Sequence, residues 1–116
     1  MAGSTGMGRG VKRGDVCWYT FDHPNKRRPV LILTRDSAIT VLNGITIAPI
    51  TTTIRSIPTE VVLSTDDGLP EICAANFDNL QTVPKANIGA PIAHLSHSKM
   101  KAAAAAIGFA LGFSEA

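Results

Sequence analysis

The chain has 116 residues, 45% of them hydrophobic and 17% charged, with a formal net charge of +2. That balance excludes a disordered polymer and fits one folded domain, while the small positive excess suits a polyanionic partner without demanding one. No apolar run reaches the ~20 residues of a membrane span and no basic-then-apolar leader opens the chain, so the expected setting is the cytoplasm, with no membrane partner.

Residues 1–10, MAGSTGMGRG, can bury nothing and are predicted to be a disordered tail, leaving residues 11–116 as a single domain. Their glycines are not a phosphate loop, because no strand precedes them and no GK[ST] follows. Residues 15–21 are rich in aromatic and β-preferring side chains and predict a first strand. Pro24 and Asn25 mark a turn or loop over residues 22–26. A second strand is predicted over residues 29–34, with Pro29 at its start, where proline is tolerated. Asn43-Gly44 signals a reversal into a third strand over residues 44–50, interrupted by Pro49.

Threonines, Arg55 and Pro58 form the next loop, followed by a strand over residues 59–63. Asp66-Asp67-Gly68 reads as a turn, and residues 71–77 and 80–83 as one or two more short strands closed by Pro84. The period then changes. Ser96 is placed to cap a helix running to about residue 111, with Met100, Ala103, Ala104, Ile107 and Leu111 on its apolar stripe and Gly112 ending it. The prediction is mostly β: a small barrel of five or six short strands with one packed C-terminal helix.

Cys17 and Cys73 stand apart in apolar settings without metal-ligand spacing and read as buried, reduced thiols. His94 and His97 straddle the helix cap with no third ligand near in sequence, so an exposed pair outweighs a metal site. His23 is a candidate for proton transfer, with an ordinary loop histidine the heavier reading. No GxSxG, cysteine motif or carboxylate pair suggests a nucleophile or a glycosidase site. No metal or cofactor is expected, so chemistry here would run on cations and hydroxyls.

Two places qualify. In NKRRPVLILT, Lys26 and Arg27 fit a mobile solubilising loop equally well, but Arg28 precedes Pro29 and an apolar strand that fix its backbone. A guanidinium so held can address a phosphate bidentately. In PITTT, residues 49–53, the hydroxyls either cap local backbone or donate to a phosphoryl oxygen.

Taken in order, VKRGDVCWYTFDHPNKRRPVLILT, ITIAPITTTIRSIPTEVVLS, GLPEICAANFDNLQTVPKANIG and a helix opened by HLS resemble the MazF/PemK family of toxin endoribonucleases over residues 11–113. KRGDV, RPV and APIT…IPTEV are the most specific pieces. The resemblance implies an SH3-like barrel of the PemK/CcdB type, a homodimer, and a cognate antitoxin whose acidic, apolar tail covers the basic groove. It also implies metal-independent, sequence-selective cleavage of single-stranded mRNA, leaving a 2′,3′-cyclic phosphate and a 5′-hydroxyl. The family's catalytic arginine falls on Arg28 and its catalytic threonine on Thr51.

Lys26, Arg27 and Arg55 would attract the RNA backbone, with Thr52 beside them. Trp18 or Tyr19 would stack a base, a core or interface role being the plain alternative for Trp18, and Asn79 and Gln81 stand where base choice is set. Where relatives often place an acid after the first strand this chain has Thr20, so Asp22 or His23 would take the acid–base role. A CcdB-like poison of DNA gyrase on the same fold, without nuclease chemistry, is the alternative of a different class. A nuclease-dead RNA-binding module is a third.

Overall fold

The computed structural model describes residues 10–22 and 26–113. The proposed acid–base residue His23 and nearly all of the expected N-terminal tail lie outside the described residues. Among the described residues there are seven strands and two α-helices. The strands are β1 (Asp15–Phe21), β2 (Lys26–Ile32), β3 (Gly44–Thr51), β4 (Glu60–Leu63), β5 (Cys73–Asn76), β6 (Gln81–Pro84) and β7 (Pro91–His94). The helices are α1 (Asp36–Ile39) and α2 (His97–Ala110).

All pairings are antiparallel, in the order β4-β5-β3-β2-β1-β7, with β6 also on β3. The sheet curls into a half-barrel, the expected small mostly-β barrel with its C-terminal helix, with β4 and β7 at its two ends. The central strand β3 serves two partners along one edge: β6 pairs with residues 44–47 and β5 with Ile50 and Thr51.

Both faces of the curled sheet are covered. Val16, Leu31, Ala48 and Ile50 point into one core with Leu63, Phe77 and the α2 residues Ala103 and Ala106. Cys17, Val30, Ile32, Ile45 and Ile47 point into the other, closed by Ile39 of α1 and Val83 of β6. A strand buried on both sides reads as a continuous apolar run rather than an alternating one, and this is why Val30-Leu31-Ile32-Leu33 carries no polar residue.

Several boundaries differ from the sequence reading. β2 begins at Lys26, not Pro29, and ends at Ile32. Lys26 and Arg27 are therefore strand residues, paired with Phe21 and Thr20, rather than parts of a mobile loop. The aromatic strand β1 supplies the partner that their own charged sequence does not advertise. α1 and β7 are additional elements; each has four residues, too few to show a period.

α2 forms as expected: Ser96 Oγ accepts the Lys99 N–H at 3.2 Å, and Gly112, at φ 81°, ends it with its N–H on the Phe109 carbonyl. Its buried face is Ala103 and Ala106, flanked by Met100, Ile107 and Ala110, whereas Ala104 and Leu111 are exposed. Five successive alanines offer no contrast from which a face could be chosen. His94 is exposed ahead of the Ser96 cap, as expected; it ends β7, with Nδ1 2.8 Å from Asp15 Oδ1. Among the described residues, no helix is long and apolar enough to cross a membrane.

Phe77 is 1% exposed between β5 and α2, so Phe77→Ala should lower stability by about 3–5 kcal/mol in urea unfolding. Burial pushes the Cys73 thiol above its ordinary value, and the carboxylates of Glu71 and Asp67 push it further. The folded state then holds this proton more tightly than the unfolded chain. The contribution is fully present below the ordinary value of 9.0 and is lost as pH rises above it. Unfolding free energy should fall between pH 8 and pH 10, and Cys73→Ala should fall less; equal falls in the two proteins would contradict this.

Candidate active site

The site forms where the sheet splits. β2 and β3 pair at Ile32↔Ile47, Leu31↔Ala48 and Val30↔Pro49, and the ladder stops there. The Leu33 N–H donates to the Thr46 carbonyl, which fixes the hydrogen-bonded rungs at alternate residues along both strands. The next such rung would join residue 29 to residue 50, and Pro29 has no N–H to give. The nitrogen of Pro49 faces the opposite edge, where β3 passes from β6 to β5, so the missing donor there leaves no rung broken.

Beyond Val30 the two strands part company. β2 continues on β1, from Pro29↔Trp18 to Lys26↔Phe21, while β3 continues on β5. Carried two residues across the gap, the β2–β3 register sets Arg28 opposite Thr51, on the same face. Pro29 also restricts Arg28 to extended backbone. Arg28 and Thr51 are each half-buried and together line two hollows, one on either face of the split.

The first hollow, about 290 Å³, also presents Phe21, Arg55, Asn76, Asn79 and Gln81. The second, about 420 Å³, presents Trp18, Lys26, Arg27, Thr52 and Glu71, with Cys73 among its lining residues. The sequence candidates are thus divided between two faces but joined at one mouth. Asp22 lines neither hollow.

Local bonds hold these side chains. Thr51 Oγ1 accepts the Thr53 N–H at 3.1 Å, which leaves the hydroxyl its own proton to donate. The Arg27 guanidinium lies 4.3 Å from the Trp18 ring centroid, a cation–π contact that steadies both groups on the open face of the β1–β2 ribbon.

The loop carrying Arg55 is tied to a buried carboxylate. Glu60 Oε1 accepts the Arg55 N–H at 2.9 Å, and Oε2 lies 3.7 Å from the Arg55 guanidinium. Ser56, next in the chain, takes the left-handed conformation at φ 56°. On the other side, Asn76 Oδ1 accepts the Asp78 N–H, and Thr59 Oγ1 donates to Asp78 Oδ2 at 2.6 Å. These bonds fix the short turn Phe77–Asn79 from which Asn79 and Gln81 face the first hollow.

Phe21, Asn76, Glu60 and Glu71 were not singled out in the sequence. Phe21 follows once β1 and β2 are paired, because strand alternation puts it on the face of Arg28. Glu60 and Asn76 face each other across β4 and β5, a pairing with no local signature.

Residues 12–111 match the family described as PemK-like, MazF-like toxin of type II toxin–antitoxin system. The chain is 44% identical over 84 residues to "Endoribonuclease MazF3" of Mycobacterium tuberculosis, covering 72% of this chain and 82% of that protein. The structure of the M. tuberculosis toxin MazF-mt6 superposes with a TM-score of 0.79 at 39% identity, over 87% of this chain and 99% of that one. A mycobacterial endoribonuclease solved in complex with its cognate antitoxin superposes with a TM-score of 0.81 at 25% identity, over 92% of this chain and 100% of that one. With nearly its whole described length matched and its curled sheet shared, the chain belongs to the PemK-like, MazF-like toxin family of type II toxin–antitoxin systems.

Proposed function

We propose that this chain is an endoribonuclease toxin that cuts single-stranded mRNA at selected sequences in the cytoplasm, without a metal ion. We further propose that it acts as a homodimer and is neutralised by a cognate antitoxin. The observation that carries the reading is the pair Arg28 and Thr51, which together line both hollows at the mouth of a split sheet. The relative named endoribonuclease MazF3 and the endoribonuclease solved with its antitoxin support the substrate and the partner.

In the proposed reaction the ribose 2′-oxygen attacks the adjoining phosphorus, and the bond from phosphorus to the 5′-oxygen breaks. The 2′-hydroxyl proton leaves to a base, for which His23 is the candidate on this chain because Asp22 lines neither hollow, and the departing 5′-oxygen takes up a proton. The products are a 2′,3′-cyclic phosphate and a 5′-hydroxyl. Negative charge builds on the nonbridging oxygens. A guanidinium that stays protonated at any working pH can bind two such oxygens, and the Thr51 hydroxyl can donate to one. DNA lacks the attacking hydroxyl and should bind without being cut.

Lys26 and Arg27 line the second hollow and Arg55 the first, so cations flank the cut site on both faces and would draw in the RNA backbone. Trp18 would stack a base on the second side, while Asn79 and Gln81 would read one on the first.

The test is incubation with a long single-stranded RNA in excess EDTA, followed by mapping of the ends. Cleavage at a restricted set of sites, with cyclic-phosphate and 5′-hydroxyl ends, is expected. Arg28→Ala should slow it by roughly 10²–10³-fold, the usual loss for one oxyanion donor. Uncut RNA with the unaltered protein would overturn the proposed activity, and normal cleavage by Arg28→Ala would overturn the residue assignment.

A further inference from the structure

One group at the mouth of the split sheet has no part in the reaction above. Glu71 is exposed, lines the second hollow beside Lys26, Arg27 and Arg28, and immediately precedes Ile72 and the start of β5. Among the described residues no ion pair or hydrogen bond engages its carboxylate. Its charge also helps raise the thiol of Cys73, a lining residue of the same hollow.

A carboxylate in a groove for a polyanion repels phosphate and cannot serve the backbone. It can serve only a donor. The donors an RNA strand offers away from its backbone are the N–H groups on base edges and the ribose hydroxyls, and acidic side chains accept from exocyclic amines. The rest of the hollow suits a base: the Trp18 indole, Leu69 and Pro70 give it apolar walls, and about 420 Å³ leaves room for a purine or a pyrimidine.

Resting on the nuclease reading, we infer that Glu71 is a specificity-determining residue. It accepts a hydrogen bond from the exocyclic amine of the base on the second-hollow side of the scissile phosphate. Adenine, cytosine and guanine carry such an amine. Uracil presents a single N3–H between two carbonyl oxygens, and those oxygens face the carboxylate's charge unfavourably. Because Arg28 and Thr51 line both hollows, the nucleotides on the two sides of the phosphate enter different ones, and Glu71 governs one flank only.

The experiment uses single-stranded RNA randomised at the two nucleotides flanking a cut site, with products sequenced for the unaltered protein, Glu71→Gln and Glu71→Ala. The unaltered protein should favour amine-bearing bases over uracil at one flank. Glu71→Ala should reduce that preference about tenfold, as expected for loss of one good base contact. Glu71→Gln should admit uracil, because its amide can donate to a carbonyl. The preference at the other flank should persist in both variants.

Unchanged preferences at both flanks, or a uniform fall in rate for all sequences, would overturn the inference while leaving the nuclease reading intact. Failure of the unaltered protein to cut any RNA would overturn both.

Discussion

The arrangement of the site depends on one absent hydrogen bond. A sheet whose rungs continued from Leu31↔Ala48 to residues 29 and 50 would be sealed at this end, and Arg28 and Thr51 would be neighbours in a closed surface. Pro29 removes the donor for that rung, and each strand instead follows its other partner, β2 with β1 and β3 with β5. Proline inside a strand usually marks an edge. Here the edge is internal, a slit opened within a sheet that carries a core on each face.

That slit lets a small fold bring chemistry from two faces to one point. Alternation along β2 sends Arg27 toward Trp18 in the second hollow and Arg28 toward Phe21 in the first, while Arg28 also borders the second. The same alternation along β3 puts Pro49 and Thr51 with Arg28, and Ile50 in the core beneath α2. The ribbons are anchored separately: one by the Trp18–Arg27 contact, the other by the bonds among Asn76, Asp78 and Thr59 and by Glu60 beneath Arg55.

What the sequence revealed follows the range of the signals involved. Ser96 and Gly112 bound α2 because caps are local chemistry, and Arg28 stood out because Pro29 is its neighbour. Thr51 was visible as one hydroxyl among several. Its match to Arg28 needed the β2–β3 register, which no nearby residue encodes. Lys26 and Arg27 looked like loop because their strand identity is lent by β1. The alanine face of α2 was unreadable for want of contrast, and the burial of Glu60 and Asn76 depends on β4 meeting β5. Whatever rests on pairing between distant segments was hidden, and the slit is made of such pairings.

If Arg28 and Thr51 grip the same phosphate from opposite ribbons, their contributions to the rate must be coupled. The measurement is the single-turnover cleavage rate of one RNA by the unaltered protein, Arg28→Ala, Thr51→Val and the double variant. Each single variant should be slow, and the double variant should be far less impaired than the product of the two losses. Losses that multiply, or a Thr51→Val protein that cuts at the unaltered rate, would contradict a phosphate shared across the slit.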